Sequence, residues 1–313
     1  MTYVLVEHAG GALEPVTAEL ITAARALGDV TAVVVAPADN AALFDADLAA
    51  LGAAAIVHAT YTDNRIVIPA ADALSMLAAG APAPILLAAS ATNNEIAARL
   101  AARLASGVLC NVVGVNADRT AAMSIFGDSI SVSAAVGGTS PIYTLRAGAV
   151  EPAPAAAAGA VSELALPAAG AMDATVVSFT PAVKGDRPEL TQAKVVVSGG
   201  RGVGSAEGFR TLVEPLADAL GGAVGATRDV VDDGFYEAAY QVGQTGVTVS
   251  PDLYIALGLS GAIQHTSGMQ TSRKIIAVNN DEDAAIFKIA DLGVVGDVND
   301  IVPAVLAELE KRQ

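Results

Sequence analysis

An α/β fold is predicted for this 313-residue chain by its composition, the rhythm of its apolar runs and its glycine punctuation. Hydrophobic residues make up 53% of the sequence and charged residues only 16%, enough apolar side chain for sizeable cores. Aromatics are 4% with no Trp, while Ala, Val and Gly abound, which suits close helix-on-sheet layers better than a β-sandwich. Short apolar runs alternate with longer amphipathic stretches, the rhythm of βαβ units, and Gly or Pro marks most of the junctions.

The elements follow in order. A strand over 3–7 leads to an amphipathic helix over 15–27, closed by Gly28, and a second strand over 31–36. Helix 40–51, strand 55–59, helix 70–79 and strand 85–89 continue the alternation. Helix 93–104 aligns Ile96, Ala97, Leu100 and Leu104 on one face. A parallel sheet flanked by helices therefore accounts for the chain to about residue 111. Three short alternating runs follow, 123–126, 129–135 and 142–146, separated by Gly-Asp and Gly-Gly-Thr-Ser-Pro turns, and they predict antiparallel additions to that sheet. Residues 148–172, rich in Ala, Pro and Gly, read as a surface excursion, with a helix across the alanines as the alternative. Residues 175–181 resemble one more strand, and KGDRPEL at 184–190 has the turn and charge signals of a linker. Two domains result, 1–190 and 191–313.

The second domain is predicted to be doubly wound, with a ligand crevice at its strand ends. Strand 194–197, glycine loop 199–204, helix 207–220 and strand 223–226 open it. The segment 235–241, the turn VGQTG at 242–246, strands 253–257 and 274–278, helix 284–291, strand 292–296 and helix 301–311 complete it.

Composition also excludes function classes. The net charge of −16, with no basic cluster, disfavours nucleic acid and anionic membrane surfaces as partners. Cys110 is the single cysteine, so neither an intrachain disulfide nor an all-cysteine metal site is available. His8, His58 and His265 lack metal-type spacing, and no metal is expected. No signal segment opens the sequence, and no apolar run approaches the ~18 residues of a membrane span, so a soluble cytoplasmic protein is expected.

The chemistry concentrates after residue 194. GGRGVGS at 199–205 follows a strand and precedes a helix, the setting for phosphate at a helix N-terminus. Its spacing is not G-x-G-x-x-G, and Ser205 stands where a phosphate-loop ATPase needs Lys. An NAD site puts an acid near the end of the next strand, whereas this chain has Thr227 and Arg228 there. Arg201 and Arg228 thus sit where strand ends approach the crevice, with solvated surface arginine as the alternative. Val242, Gly243, Gln244 and Thr245 form a small polar turn able to offer amide, hydroxyl and backbone donors. The stretch LYIALGLSGAIQHTSGMQTSRKIIAVN at 253–279 places Ser260, Gly261, Ala262 and Ile263 at a helix start, where free N–H groups favour an anion. Gln264 and His265 add polar side chains, and Gly268 leaves room near the backbone. Together they suit a large, partly anionic ligand. GLSGA lacks the second glycine of a nucleophile elbow, so hydrolase chemistry is not supported. Asn279 and Asp297 end strands and can face the crevice or simply cap them.

These motifs resemble a family. GGRG at 199–202, GATRDVVDDGF at 225–235, QVGQTG at 241–246, LYIALGLSGAIQH at 253–265 and AVNND at 277–281 are similar, in order, to the α subunit of electron transfer flavoprotein, and the opening VLVEHAGGALEPVTAELITAARALG is similar too. The resemblance implies a heterodimer with a β subunit that binds AMP, partner contact by the N-terminal domain, and FAD held mainly by the C-terminal domain. The family's FAD-contacting positions fall on Arg201, Thr227, Val242, Gly243, Gln244, Thr245, Ser260, Gly261, Ala262, Ile263, Gln264, His265, Asn279, Asp297 and Val298, with Arg228 on the flavin side. Thr227 stands where Ser is commoner and keeps the hydroxyl, and Val298 stands where Leu is commoner. The resemblance further implies Arg228 above the ring, His265 donating to the flavin C2 carbonyl and Thr245 donating near N5. The leading expectation is an electron carrier, not an enzyme with its own substrate, moving electrons from acyl-CoA and other flavin dehydrogenases of fatty acid oxidation to a quinone oxidoreductase. A bifurcating, NADH-oxidising complex and a nucleotide-binding module without redox work are the alternatives.

Overall fold

A computed structural model describes the chain except residues 10, 127–129, 172, 179, 181–184 and 312–313, and describes only the backbone of 38 and 39. The chain divides into two compact units, Met1–Pro181 and Ala182–Gln313.

Unit one is built on a seven-stranded parallel sheet in the order Ala160–Ala165, Ala53–Tyr61, Val30–Pro37, Thr2–Leu5, Ile85–Ala88, Ile142–Leu145, Val108–Val112. The strand period of two sends alternate side chains to opposite faces. Val4, Val34 and Leu86 join Leu20 and Ile21 of helix Val16–Ala24 in one core cluster. Tyr3, Leu5, Val33, Ile85 and Leu87 join Leu74 of helix Ile68–Gly80 and Leu100 of helix Ala91–Leu104 in the other. Both faces are covered, which is why these strands read as unbroken apolar runs.

Four expectations are corrected here. The run at 142–146 is not antiparallel: Ile142–Leu145, buried throughout, joins the main sheet in parallel. Its neighbour Val108–Val112 carries exposed Cys110 and Asn111, so its sequence gave little strand signal. The antiparallel pair Ala121–Ile125 and Ile130–Ala134 does form, but with Gly114–Val115 as a separate three-stranded sheet; the predicted start at Ser129 lies outside the described residues. The Ala-rich region contains an edge strand, Ala160–Ala165, paired in parallel with Ala53–Tyr61. Alanine has no periodicity to reveal it; the strand is held by its pairing with Ala53–Tyr61, to which Glu163 adds a contact with His58 Nδ1 at 3.1 Å while Asp45 meets Nε2 at 2.7 Å. The predicted strand at 175–181 contributes only an isolated bridge from Thr175 to Arg65, with 179 and 181 outside the described residues. Arg65 is buried among Asp63, Asp72, Asp173 and the Pro167 carbonyl.

Unit two carries a five-stranded parallel sheet in the order Ala223–Ala226, Val195–Gly199, Leu253–Leu257, Ile275–Asn279, Leu292–Val295. Numbered within the unit this is 2-1-3-4-5, a doubly wound order whose switch point lies between Val195–Gly199 and Leu253–Leu257. The helix after the glycine loop runs from Ala206 to Ala219 with a π-helical segment at Phe209–Val213. It packs Phe209, Val213 and Leu216 with Val197 and Leu257. The predicted helix at 284–291 is only a short turn, Ala285–Lys288, and the closing helix is Val298–Glu310. Of the predicted linker, Lys184 lies outside the described residues, while Arg187 grips Asp218 at 2.6 Å and Glu214 at 3.3 Å.

Candidate functional site

The switch point of unit two opens into a cavity of about 400 Å³, within the range of small-molecule sites. It is walled by the loops that leave the carboxyl ends of Ala223–Ala226 and Leu253–Leu257, the strands on either side of Val195–Gly199, and by the polar turn that follows Ala238–Tyr240. After Ala223–Ala226 the chain turns into helix Arg228–Asp232, with Thr227 at its cap, and Thr227, Arg228 and Asp229 line the cavity. Gln241, Val242, Gln244 and Thr245 contribute from the polar turn. Leu259, Ser260, Gly261, Ala262, Gln264 and His265 contribute from the loop and short helix after Leu253–Leu257.

Close backbone packing locks these loops together. The Gln244 amide donates to the Gln264 carbonyl at 2.7 Å. A Cβ on Gly243, whose φ is +143°, would lie 2.5 Å from that same carbonyl oxygen, and one on Gly268 would lie 2.4 Å from the Gly243 nitrogen. Gly261 has φ +85° and no space for a side chain, because a Cβ would fall 2.2 Å from the Ile286 nitrogen. Only glycine fits at such points. The glycine loop 199–204 uses its freedom differently. Gly200 and Gly202 donate to the Leu257 and Gly258 carbonyls at 2.9 and 3.1 Å, Val203 and Gly204 bond within the loop, and Gly202 lies directly against Gly258.

Polar groups remain available at the cavity. Among the described residues, the amides of Gly261, Ala262 and Ile263 have no acceptor, being the first donors of a helix start. Thr245 Oγ1 accepts from Gln241 Nε2 at 2.9 Å, which leaves the Thr245 hydrogen free to donate outward. His265 is 6% exposed, with Nε2 2.9 Å from Tyr254 Oη and Nδ1 buried without a partner. Burial pushes its pKa down to about 4, with the Val242 backbone as a smaller opposing influence, so the ring is neutral at pH 7. Arg228 Nε lies 3.2 Å from Asp232 and Arg201 Nε 3.4 Å from Asp229, and all four side chains are largely exposed. Pairs of this kind contribute little to stability, so either arginine can exchange its carboxylate for another anion.

Of the residues singled out from sequence, Thr227, Arg228, Val242, Gln244, Thr245, Ser260, Gly261, Ala262, Gln264 and His265 line the cavity together. Arg201 is tied to it through Asp229, Gly243 packs behind its wall, and Ile263, 69% exposed, points away from the core. Asn279, Asp297 and Val298 are not on the wall. Asn279 Nδ2 donates to the Leu259 carbonyl at 2.7 Å and so braces the loop that carries Ser260. Asp297 caps the last helix through the Asn299 amide at 2.8 Å, and Val298 is buried in the core. Asp229, Gln241 and Leu259 line the cavity without having been singled out, although each adjoins a residue that was. His265 has no carboxylate partner among the described residues, and the cavity presents hydrogen-bond donors and Arg228, with Asp229 as its one lining carboxylate among the described residues.

Comparison with known proteins agrees along the whole chain. Residues 2–169 match the family described as electron transfer flavoprotein domain, and residues 189–270 match the electron transfer flavoprotein FAD-binding domain. The chain is 51% identical over 314 residues to the electron transfer flavoprotein subunit alpha of Mycobacterium leprae, covering 99% of this chain and 98% of that protein. It is 54% identical over 313 residues to the subunit alpha of Mycobacterium tuberculosis H37Rv, with the same coverage. The subunit alpha of Paracoccus denitrificans is 38% identical over 306 residues, covering 97% of this chain and 98% of that protein.

Proposed function

This chain belongs to the family of electron transfer flavoprotein α subunits, and from that premise we propose that it carries electrons on FAD from flavin dehydrogenases, acyl-CoA dehydrogenases foremost, to a quinone oxidoreductase. Membership implies a β-subunit partner and FAD as the cofactor. In this reading residues 1–190 serve partner contact, 191–313 hold the FAD, the β subunit carries AMP, and the heterodimer works in the cytoplasm in fatty acid oxidation. Among the described residues no helix is long and apolar enough to cross a membrane.

The observation that carries the reading is a buried nitrogen, His265 Nδ1, left without a partner at a cavity that also offers three unused backbone amides and two exposed arginines. Buried polar groups are nearly always satisfied, so an orphan beside a cavity points to a ligand atom. Such a donor set fits FAD, whose pyrophosphate is anionic and whose ring is edged with carbonyls and nitrogens. In the proposed assignment the amides of Gly261, Ala262 and Ile263 face ribityl or pyrophosphate oxygens, with Ser260 and Gln264 beside them. Arg201 serves the phosphate side; Arg228 and His265 serve the ring; Thr227, Val242, Gly243, Gln244 and Thr245 line its polar edge. Asn279 braces the loop that carries Ser260, and Asp297 and Val298 keep the FAD-contacting role that the resemblance gives them. Bound FAD supplies the one- and two-electron chemistry, and the chain supplies binding, orientation and electrostatics. Arg228 favours added negative charge at the ring in proportion to how well water is excluded around it.

Co-purification of the chain with its β partner, followed by a count of flavin and adenine nucleotide, tests the reading. One FAD and one AMP per complex is the expected result. Two flavins would indicate the bifurcating alternative, and a colourless complex after FAD addition would overturn the assignment of a flavin site.

A further inference from the structure

We propose that unit one carries a small-molecule site of its own, a cavity at the carboxyl ends of its first three strands that binds a one-ring amine or amidine through Glu7.

Numbered in chain order the seven-stranded sheet reads 7-3-2-1-4-6-5, so its order turns back between Thr2–Leu5 and Ile85–Ala88. Open α/β sheets take their ligands outside the carboxyl ends of the strands at such a point. Beside it lies a cavity of about 260 Å³, room for one ring and not for a dinucleotide, lined only by residues of unit one. Leu5 and Ile96 give it apolar walls. Glu7 and His8 enter just beyond the first strand, and Tyr61 ends the third, Ala53–Tyr61.

Glu7 sets the class of ligand. Its carboxylate is half-buried and accepts from Asn93 Nδ2 at 2.8 Å. Asn93 is buried and also donates to the Ala88 carbonyl at 3.0 Å, which fixes the amide that Glu7 meets. Burial disfavours the Glu7 anion, Asn93 opposes that effect and Glu14 adds to it, with no positive group among these influences. The cation at this cavity, Arg65, is already held by Asp63, Asp72, Asp173 and the Pro167 carbonyl. A carboxylate sheltered from water is ordinarily paired, so the open space beside Glu7 calls for a cationic N–H donor. Two more acceptors stand near it. His8 Nε2 lies 3.2 Å from the Val35 carbonyl, which only an N–H can approach, so the neutral ring keeps a lone pair on Nδ1. The Tyr61 hydroxyl has no hydrogen-bond partner among the described residues. The net charge of −16 draws cations to the protein in general, and the apolar walls select one with a hydrophobic body.

One wall is strained. Val67 has φ +69° and ψ −52°, a γ-turn closed by the Ile68 amide donating to the Ile66 carbonyl at 2.7 Å. A β-branched residue adopts that conformation only where its surroundings dictate it, and such strain concentrates at ligand sites.

Benzamidine is the probe, with neutral benzamide and anionic benzoate as controls of nearly the same shape. The complex of the chain with its β partner and FAD is titrated at pH 8 by calorimetry and by ¹H–¹³C spectra of Leu and Ile methyl groups. One benzamidine should bind per complex and shift the Leu5 and Ile96 methyl signals, with benzamide and benzoate weaker by about tenfold or more, the worth of one charge-assisted contact. Glu7→Gln, which keeps the shape and removes the charge, should weaken benzamidine by about tenfold, and Tyr61→Phe by about threefold. Absence of binding in the millimolar range, binding that leaves the Ile96 methyl unmoved, or equal affinity in Glu7→Gln would overturn the proposal. Should Glu7→Gln not fold, the wild-type preference for benzamidine together with the Ile96 shift still decides. Flavin absorbance should stay constant throughout, and the flavin count is measured on the same samples, so this site and the flavin reading stand or fall separately.

Discussion

Arg228 and Arg201 are alike in exposure and in having an aspartate beside them, yet they are assigned to opposite ends of the ligand, and single substitutions separate them. One charge-assisted contact contributes about 1.5 kcal/mol at the lower end of its range. For a one-electron step that corresponds to roughly 65 mV. Arg228 is 64% exposed, so water already screens part of its charge and the lower end applies. Arg228→Ala should lower the first-electron potential of the bound FAD by about 60 mV and leave FAD binding largely intact. Arg201→Ala should weaken FAD binding with little change in potential. Spectroelectrochemical titration with a parallel binding isotherm checks both, and a larger potential shift in Arg201→Ala would reverse the assignment. Glu19 offers a residue-scale test of folding. Buried on helix Val16–Ala24, it accepts from the Gly148 amide at 2.7 Å, and burial raises its pKa to about 7 against the opposing Gly148 and Val150 amides. The folded state then binds the proton more tightly than the unfolded one. Its contribution is fully present below about pH 4.5 and is lost as pH rises through 7, up to about 3 kcal/mol. Glu19→Gln should flatten that loss, giving a variant more stable than the wild type at pH 8 but not at pH 4.5 in denaturant titrations.

At the scale of elements, the loop after Val195–Gly199 and the loop after Leu253–Leu257 cross at Gly202 and Gly258, backbone against backbone. A Cβ on Gly202 would meet the Gly258 Cα at 2.7 Å, and neither main chain can yield as a flexible side chain would. Overpacking of this kind costs about 1–3 kcal/mol. Gly202→Ala should therefore lower the thermal midpoint of the C-terminal unit by roughly 3–9 °C and displace Arg201 and Ser260, which flank the crossing. Calorimetry and FAD affinity should fall together; a midpoint within about 1 °C of wild type would mean the crossing is loose. The glycine-rich loop thus serves mutual approach of two loops, a role its sequence shares with phosphate-binding loops. Gly199 adds a second close approach, since its Cβ would strike the Phe209 ring at 2.6 Å.

For the whole molecule, the question is how much of the FAD site one chain can supply. Gln244, Thr245, Ala262 and Gln264 line the cavity and are themselves exposed, as are both arginines, so one side of the site opens outward. The isolated chain should therefore bind FAD at least tenfold more weakly than the heterodimer. Equilibrium dialysis of chain and complex measures this, and equal affinity would show that one chain completes the site.

Much of this protein was legible in its residues, because helix and strand periods, glycine turns and composition are properties of neighbours in sequence. The parallel α/β class, the strand–loop–helix setting of Leu253–Leu257 and the clustering of polar and glycine motifs after residue 194 all follow from such local pattern. Which strands become neighbours is not a local property. Ile142–Leu145 could be read as a hairpin arm until burial on both faces placed it in the parallel sheet, and Ala160–Ala165 has no pattern until it meets Ala53–Tyr61. The state of His265 belongs to the same class. Its identity is a letter in a motif, but its neutrality comes from burial, and one ring nitrogen meets a tyrosine 11 residues away that bonds in turn to a serine 56 residues further back. Only the register of two parallel strands and the loop beyond them brings those three side chains into one chain of hydrogen bonds, because burial and pairing depend on what lies nearby in space.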